Sequence, residues 1–389
     1  MIVLGLMSGT SVDGVDVAIT EIRQMGRNLR VQLLAHDSLA YSPDLRARIL
    51  AASERGAVSE VCHLNVVLGE VFAKAALRAI KRSGLPPGKV QLIGSHGQTI
   101  HHRPHFVHDP SVGKIRSTLQ IGEPAVIAER TGIPTVANFR ARDVAAGGEG
   151  APLTPYVHHL LFHHPVRSRL VVNLGGIVNM TSLPAAGSID RIQAFDVGPG
   201  NMLLDGCIQR LSLGKYTLDR GGKWAKGGQI RLRLLEQLLA HPYLDKPPPK
   251  STGREEFGSP FIHRVLATAK RNRWPTADIL ATCCRFIALS ISMAQRWIRH
   301  RNDEVMVGGG GVYNPVLMAE LVQVLHPLPV KRMEDCGSHS KAFEAKAFAV
   351  LAYQTLHGRP NNVPAVTGAR HPVILGSLVP GRPAGRRES

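Results

Sequence analysis

Apolar positions in the first 34 residues alternate with polar or small ones, and the alternation breaks at turns. Residues 2–6, 15–21 and 29–34 are the three segments that show this pattern. A period of two is typical of β-strands with one buried face, and the short connections favour antiparallel neighbours. The N-terminal stretch is therefore predicted to be a three-stranded meander.

The next segments change to helical spacing. Apolar side chains recur every three or four residues in 43–53 and 60–82, which predicts two helices. Short apolar runs at 90–94 and 134–137 are predicted strands. Each runs into polar residues at its carboxyl end, where open α/β sheets bind ligands. The first half is thus predicted to be a mixed sheet with helices.

The second half begins with the same order of elements. Residues 169–173, 177–182 and 191–195 are predicted strands, and Gly175-Gly176 forms the turn between the first two. Further predictions are helices at 202–211, 229–240, 260–270, 276–301 and 341–356, and a strand at 305–307 followed by glycines 308–311. No residue-by-residue repeat is visible, but the shared order suggests two similar halves.

Length and cysteine content narrow the class of protein. A chain of 389 residues exceeds what one hydrophobic core usually serves, so two domains are expected. The five cysteines lack a Cys-x-x-Cys spacing and fit neither a disulfide framework nor a zinc site. We see no charged-then-apolar leader and no apolar run of about 18 residues. A cytoplasmic protein without a membrane segment is expected.

The formal charge of +18 favours anionic partners, and nucleic acid must be considered. The arginines are scattered, however, and aromatic residues make up only 5% of the chain, too few for an obvious base-stacking surface. A basic, solvated surface without a specific nucleic-acid partner is the favoured interpretation. The alternative is a nucleic-acid-associated ATPase, which salt-dependent binding of DNA or RNA would support.

The turn between the first two predicted strands combines glycines, hydroxyls and carboxylates. Gly9 and Gly14 allow a tight turn with the backbone close to a ligand, and hydroxyls beside exposed N–H groups suit a phosphate. Asp13 and Asp16 could hold a phosphate-bound Mg²⁺ through water. The turn lacks the Gly-Lys-Ser/Thr ending of a P-loop, and an ordinary β-turn is the alternative.

Two glycine-turned meanders and a late strand ending in glycines resemble the sugar kinase, actin and heat-shock ATPase superfold. The resemblance implies two similar ribonuclease-H-like (actin/hexokinase-type) α/β domains, with mixed five-stranded sheets flanked by helices and a cleft between them. We expect residues 1–150 and 151–358 to be the two domains. Residues 359–389, rich in Gly, Pro and Arg, are expected to be a C-terminal extension that is poorly ordered after about residue 376.

Longer motifs make the resemblance specific. Over residues 2–357 the chain closely resembles the anhydro-N-acetylmuramic acid kinase family. The motifs are GLMSGTSVDGVD (5–16), GSHGQTIHHRP (94–104), LQIGEPAVIAERTGIPTVANFRARDVAAGGEGAPLTP (119–155), VNLGGIVNMT (172–181), FDVGPGNMLLD (195–205), PPKSTGREEFG (248–258), ADILAT (277–282) and VGGGGVYNP (307–315). A fold alone would not indicate a substrate, but these motifs do.

The resemblance implies an ATP-dependent kinase that opens 1,6-anhydro-N-acetylmuramic acid with water and phosphorylates O6. The products would be N-acetylmuramic acid 6-phosphate and ADP, in peptidoglycan recycling. The implied partners are this sugar and ATP with Mg²⁺, and a homodimer is expected. A catalytically silent sugar-binding regulator is the other alternative, and retention of Asp143, Asp196 and the 9–16 loop argues against it.

The resemblance also implies the site residues. Asp143 matches the catalytic aspartate, Arg140 could act on developing phosphate charge, and Glu344 would lie near the cleft. The ATP-binding residues would be Gly9, Thr10, Ser11, Val12, Asp13, Gly14, Val15, Asp16, Gly175, Gly176, Asp196, Gly198, Gly200, Gly309, Gly310 and Asn314. The sugar side would contain His96, Gln98, Gln120 and Glu123, and the metal would be held by Asp13 and Asp196.

Structural roles remain open for the three acidic candidates. Asp143 could pair with an arginine or cap a helix, although the nearby Arg140 and glycine N–H groups could also orient it as a base. Asp196 could cap the following helix, and Glu344 could be a solvated helix residue. Three positions depart from the usual family residues: Lys341 (often acidic), Asn138 (frequently aspartate) and Glu149 (glutamine).

Overall fold

The computed structural model of the protein describes residues 1–26, 28–86 and 88–382. They form two compact units, each with its own sheet and core. Unit 1 comprises Met1–Leu161 and Ala342–Ser389, and unit 2 comprises Phe162–Lys341. The predicted domains of residues 1–150 and 151–358 differ from these units, because the chain enters unit 2 only after Leu161 and returns to unit 1 at Ala342.

Unit 1 contains a seven-stranded mixed sheet. Its strands are β1 (Ile2–Ser8), β2 (Gly14–Met25), β3 (Asn28–Ala40), β4 (Val90–Asp109), β5 (Gly113–Ile121), β6 (Thr135–Ala137) and β12 (Ser377–Val379). The order is β12-β6-β4-β1-β2-β3, with β5 paired to β4. The strands β1 to β3 form the predicted antiparallel meander, and β4 and β6 run parallel to β1.

Unit 2 repeats this plan with five strands. They are β7 (Arg169–Leu174), β8 (Ile177–Leu183), β9 (Gln193–Pro199), β10 (Glu304–Gly308) and β11 (Val330–Arg332), in the order β11-β10-β7-β8-β9. Again an antiparallel meander adjoins two parallel strands. The prediction of two similar mixed α/β domains is confirmed. The prediction of a five-stranded sheet is wrong for unit 1, because β5 and β12 extend that sheet to seven strands.

Helices flank both sheets. They are α1 (Pro43–Arg55), α2 (Val58–Ser83), α3 (Pro124–Thr131), α4 (Phe139–Ala145), α5 (Thr154–Phe162), α6 (Asn201–Leu211), α7 (Leu232–Leu239), α8 (Arg254–Phe257), α9 (Ser259–Arg271), α10 (Thr276–Ala294), α11 (Pro315–Leu325), α12 (Phe343–Leu356) and α13 (Pro364–Thr367). Local chemistry sets several ends. Ser42 caps α1 by accepting from Leu45 N at 3.2 Å, and Gly84 ends α2 at φ 70°.

The helix α12 lies directly on the strands of unit 1, although the sequence predicts it in the second domain. Gly5 of β1 and Gly94 of β4 are register partners. A Cβ on Gly5 would overlap the Ala345 carbonyl oxygen, and one on Gly94 would overlap that of Phe348. The two glycines therefore let α12 approach the sheet backbone closely, which positions the first turn of α12 near the β1–β2 loop.

The chain after α12 has defined structure as far as residue 382, so the expected poor order after about residue 376 is wrong there. Asn361 donates from Nδ2 to Leu351 O at 2.9 Å and accepts from Leu375 N at 2.7 Å. The strand β12 then pairs with β6. Residues 383–389, which the same prediction covers, lie outside the described residues.

The region Thr276–Trp297, which contains α10, is long and apolar enough to cross a membrane by length and composition alone. The sequence analysis expected no apolar run of this length. Its most apolar window is 72% buried inside the protein, however, and its residues belong to the core cluster that also contains Leu170 and Phe257 of unit 2. The apolar character of this helix is explained by its position in that core.

Candidate active site

The loop between β1 and β2 is held in place by side chains from other elements. Arg46 of α1 donates from Nε to Val12 O at 3.1 Å and from Nη2 to Ser11 O at 3.2 Å. Gln98 of β4 donates from Nε2 to Gly9 O at 3.3 Å. These bonds fix the loop backbone by its carbonyl groups.

The two glycines of this loop serve different needs. A Cβ on Gly9 would meet only Ser11 Oγ, at 4.0 Å, so the backbone there is open to a ligand. A Cβ on Gly14 would overlap Leu39 O of the neighbouring β3. Its strand pairing therefore already requires glycine, and the expectation that Gly14 also serves ligand approach stays a prediction. The left-handed turn residue is Val12, at φ 56°.

The remaining loop residues predicted to bind ATP lie in different environments. Thr10, Ser11 and Asp13 are exposed, and Val15 is buried in the core of unit 1. Asp16 accepts from Ser38 Oγ at 2.7 Å. The loop tip thus presents hydroxyls and one carboxylate, whereas Val15 can contribute only its backbone.

A pocket of about 590 Å³ in unit 1 contains three of the four residues predicted on the sugar side. His96, Gln120 and Glu123 line it, together with residues of α2 and with Ser95 and Asn138. Gln98 does not line it. That side chain is fully buried and lies 2.7 Å from Ser8 Oγ, so it supports the β1–β2 loop instead.

His96 and Arg140 form a buried pair beside this pocket. Arg140 Nε donates to His96 Nε2 at 3.0 Å, which assigns the ring proton to Nδ1, 2.9 Å from Gly97 O. Burial and the Arg140 charge lower the pKa of His96 to about 3. Arg140 Nη1 donates to Gly150 O at 2.9 Å. Arg140 therefore positions His96 and a loop, which does not favour its predicted action on phosphate charge.

Asp143 is fully buried, and donors surround its carboxylate. Its Oδ2 accepts from Gly150 N at 2.9 Å, and its Oδ1 accepts from Asn362 Nδ2 at 2.7 Å and Thr367 Oγ1 at 2.8 Å. These bonds join the C-terminal segment to the α4 loop and hold the carboxylate in one orientation. The role of Asp143 as base stays a prediction.

Glu344 lies in the first turn of α12 and interacts with other candidate residues. Burial raises the pKa of its carboxyl, the charge of Asp16 adds to the rise, and the Arg140 charge opposes it. The alternative of a solvated helix residue does not fit this environment. Glu344 belongs to the same part of unit 1 as the β1–β2 loop.

The predicted glycines of unit 2 converge on the turn between β7 and β8. Gly200 N donates to Gly176 O, and Asn201 N donates to Gly175 O, each at 2.8 Å. Gly309 has φ 84°, and a Cβ there would lie 2.8 Å from Leu174 O. These positions form one glycine-rich surface. Two other predicted ATP-binding residues have structural roles: Gly198 lies within β9, and Asn314 caps α11 by accepting from Val316 N at 3.1 Å.

Asp196 on β9 has fewer donors than Asp143. Its Oδ2 accepts from Thr252 N at 3.0 Å. Burial raises the pKa of Asp196 to about 6, and the charge of Glu255 contributes, while the Thr252 bond and the Lys250 charge oppose the rise. Asp196 is thus a half-buried carboxylate with one backbone donor among the described residues. It belongs to a strand and does not cap α6.

The segment before α8 supplies Lys250 and Thr252, which the sequence analysis did not assign to the site. Lys250 Nζ lies 4.8 Å from the Tyr243 ring centroid and donates to Tyr243 O at 3.3 Å. Burial lowers the pKa of Lys250 to about 8. The hydroxyl of Thr252 is buried without a hydrogen-bond partner among the described residues. The motif PPKSTGREEFG was visible in the sequence, but only the fold places it against Asp196.

Two sheets of the same strand order, each with a glycine turn between its first two strands, define a protein of the two-domain ribonuclease-H-like class. A family model described as "Anhydro-N-acetylmuramic acid kinase" matches residues 1–381. Proteins of that name from Caldanaerobacter subterraneus subsp. tengcongensis and a Cyanothece species are 44% and 43% identical, over 97% of this chain and 96% and 99% of theirs. The chain belongs to the anhydro-N-acetylmuramic acid kinase family and is a sugar kinase.

Similar solved structures are more distant. The activator of the 2-hydroxyisocaproyl-CoA dehydratase from Clostridium difficile, with bound ADPNP, has a TM-score of 0.47 at 9% identity, covering 91% of this chain and 95% of its own. A ROK family glucokinase from Streptomyces griseus has a TM-score of 0.39 at 14% identity, covering 91% and 100%. Because both TM-scores are below 0.5, the fold class is assigned from the strand order of the two sheets.

Proposed function

We propose that this protein is an ATP-dependent kinase that opens 1,6-anhydro-N-acetylmuramic acid with water and phosphorylates its O6. The products are N-acetylmuramic acid 6-phosphate and ADP, and the pathway is peptidoglycan recycling in the cytoplasm. The observation that carries the proposal is similarity along the whole chain, at 44% identity over 97% of its length, to a relative named for this sugar. The proposal includes the expected homodimer, which light scattering after gel filtration would measure.

The reaction needs a base for water. The water oxygen bonds to C1, the C1–O6 bond breaks, and O6 takes the γ-phosphoryl group from ATP. O6 is an ether oxygen without a proton, so the proton released in this step comes from the water. A general base works best when its pKa lies near the operating pH. The family resemblance implies Asp143 as this base, and three donors orient its carboxylate. Asp196, whose pKa burial raises to about 6, is the second candidate.

The β1–β2 loop and the glycine turns of unit 2 suit phosphate groups. The backbone at Gly9 is open, and Ser11 is exposed beside it. Mg²⁺ is commonly held by one or two carboxylates together with substrate phosphates. The Asp13 side chain is 72% exposed and 3.6 Å from Arg46, which fits such a contact. When bound, Mg²⁺ would neutralise charge on the phosphates. Asp196 as a metal ligand is the alternative to its role as base.

The proposal is tested by sugar-dependent formation of ADP. The purified protein is incubated with ATP and Mg²⁺, and with 1,6-anhydro-N-acetylmuramic acid, with N-acetylmuramic acid, or without sugar. We expect ADP in the first mixture only, together with a phosphorylated product heavier than the anhydro-sugar by one phosphoryl group and one water. Sugar-independent ATP hydrolysis, or equal use of the unbridged sugar, would contradict the proposal.

A further inference from the structure

The segment that follows α12 supplies two of the three hydrogen bonds that the Asp143 carboxylate accepts. Asn362 Nδ2 and Thr367 Oγ1 both donate to Oδ1, at 2.7 and 2.8 Å, and Gly150 N donates to Oδ2 at 2.9 Å. The side chains of Asp143, Asn362 and Thr367 are all buried. Hydrogen bonds to an ionised group are stronger than those between neutral groups, and burial strengthens them further. The proposed reaction assigns no role to the residues that make them.

The two side-chain donors are themselves fixed by the protein. Asn362 Oδ1 accepts from Val373 N at 2.8 Å, so its amide has one orientation, with the NH₂ group toward Asp143. The single hydroxyl proton of Thr367 has Asp143 Oδ1 as its nearest acceptor. The carbonyl of the same residue accepts from Glu149 N at 2.7 Å, which joins the segment to the α4 loop. Neither donor can turn away without breaking a second bond.

The distribution of these bonds makes the two carboxylate oxygens different. Each oxygen has about two lone-pair sites for donors. Asn362 and Thr367 occupy both sites of Oδ1, whereas Oδ2 accepts only from Gly150 N among the described residues. A Cβ on Gly148 would overlap Oδ2, so a glycine is required beside that oxygen. The acceptor site that remains on the carboxylate is therefore on Oδ2.

We propose that Asn362 and Thr367 are positioning residues, which direct Oδ2 of Asp143 toward the attacking water. One O–H bond of the water breaks, its proton passes to Oδ2, and its oxygen bonds to C1 of the sugar. The C1–O6 bond breaks in the same reaction, and O6 takes the γ-phosphoryl group from ATP. The inference rests on the proposed function, with Asp143 as its base, and it adds the segment after α12 to the residues that the reaction needs.

A double-mutant cycle tests the proposal. Thr367→Val keeps the shape of the side chain and removes the donor, and it is made in the wild type and in Asp143→Asn. In the wild-type background kcat should fall about 10- to 100-fold, because a misplaced reacting group costs up to that much. The KM values for ATP and the sugar should change little. In the Asp143→Asn background kcat should fall no further, because the donor then has no base to orient.

Two further variants separate the donor from the rest of the side chain. Thr367→Ser keeps the hydroxyl and should restore most of kcat. Asn362→Ala removes the other donor to Oδ1 and should repeat the result of Thr367→Val, including the dependence on Asp143. All rates are measured well below the melting temperature of each variant, so that partial unfolding does not lower the apparent kcat.

The matched control is Thr355→Val, at the end of α12. Thr355 Oγ1 lies 2.9 Å from Leu351 O and 2.6 Å from Leu375 O, so it joins α12 to the same C-terminal segment without contacting Asp143. This variant should lower the melting temperature and leave kcat unchanged. It shows what a loss of stability in this segment does to the reaction when the carboxylate keeps its donors.

Each outcome has a separate meaning. An equal fall of kcat in both backgrounds would overturn the inference, because a residue that acts through Asp143 has no effect once that carboxylate is gone. An unchanged kcat for Thr367→Val and Asn362→Ala, in a protein whose wild type forms ADP only with the anhydro-sugar, would overturn the inference and keep the proposed function. A wild type that forms no sugar-dependent ADP would contradict the proposed function, and the inference with it.

Discussion

Asp143 and Asp196 are both aspartates in glycine-rich motifs, but their surroundings differ. Three donors bind Asp143, and one of them, Asn362, is 219 residues away in the chain. Asp196 has a single backbone donor to its carboxylate at 3.0 Å and a raised pKa. The donors hold the Asp143 carboxylate in one orientation, whereas burial raises the pKa of Asp196.

The two aspartates should therefore separate on substitution by asparagine. Asp143→Asn removes the implied base and places an amide N–H group among donors. It should lower kcat by about 10²–10⁴-fold and the free energy of unfolding by about 2–4 kcal/mol. Asp196→Asn should not lower the free energy of unfolding, because a neutral side chain is favoured at that position. Urea denaturation and steady-state kinetics on both variants check this. A fully active Asp143 variant beside an inactive Asp196 variant would instead assign the base to Asp196.

The pH dependence of the wild type follows from the raised pKa of Asp196, about 6. Asp196 must be ionised to hold Mg²⁺ or to act as a base, so kcat/KM should fall tenfold per unit as pH decreases below about 6. The folded state binds this proton more tightly than the unfolded state, so the ionised side chain costs stability above that pKa. Asp196→Asn should gain stability relative to wild type, more at pH 8 than at pH 5. A gain in stability that does not depend on pH would contradict the raised pKa of Asp196.

The sequence could indicate which residues carry chemistry, but not their partners. The family resemblance indicated His96, Gln120 and Glu123, and all three line the pocket. The buried hydroxyl of Ser95, which has no partner among the described residues, could not be recognised, because only the packing around a side chain shows that a partner is missing. Two donors to Asp143 come from Asn362 and Thr367, which lie more than 200 residues further along the chain, and no sequence pattern pairs them with it.

Among the secondary-structure elements, α12 has the closest contact with the sheet of unit 1. It lies on Gly5 and Gly94, and both positions exclude any larger residue. Gly94→Val would force the carbonyl of Phe348 away and should lower the free energy of unfolding by at least about 3 kcal/mol. The control is Arg30→Val at an exposed position of β3, which should change it by less than about 0.5 kcal/mol. Equal effects in chemical denaturation would contradict the packing account.

Elements with a clear period were predictable, and those without one were not. The two meanders follow from alternating apolar positions, and β1 to β3 pair as expected. The hairpin of β4 and β5 was missed because most of its outer residues are exposed on both faces, so no apolar face marks it. The strand β12 was missed because side-chain hydrogen bonds of Asn361 and Asn362, not apolar periodicity, hold the segment before it.

For the whole molecule, the two units repeat one strand order although their sequences share no visible repeat. Unit 1 contains the pocket and the β1–β2 loop, and unit 2 contains Asp196 and its own glycine turns. The net charge of +18 has no structural explanation here beyond a basic surface. The family assignment is the basis of the proposed reaction, in which water opens an anhydro-sugar as O6 is phosphorylated.

Isotope labelling tests that reaction most directly. The reaction is run briefly in H₂¹⁸O with ATP and 1,6-anhydro-N-acetylmuramic acid, and the product is analysed by fragmentation mass spectrometry. Unlabelled product incubated in H₂¹⁸O for the same time corrects for exchange at the anomeric carbon. The account predicts one ¹⁸O atom on C1 and none in the phosphate, because water attacks carbon and not phosphorus. Label in the product phosphate, or a C1 oxygen no more labelled than in the exchange control, would contradict it.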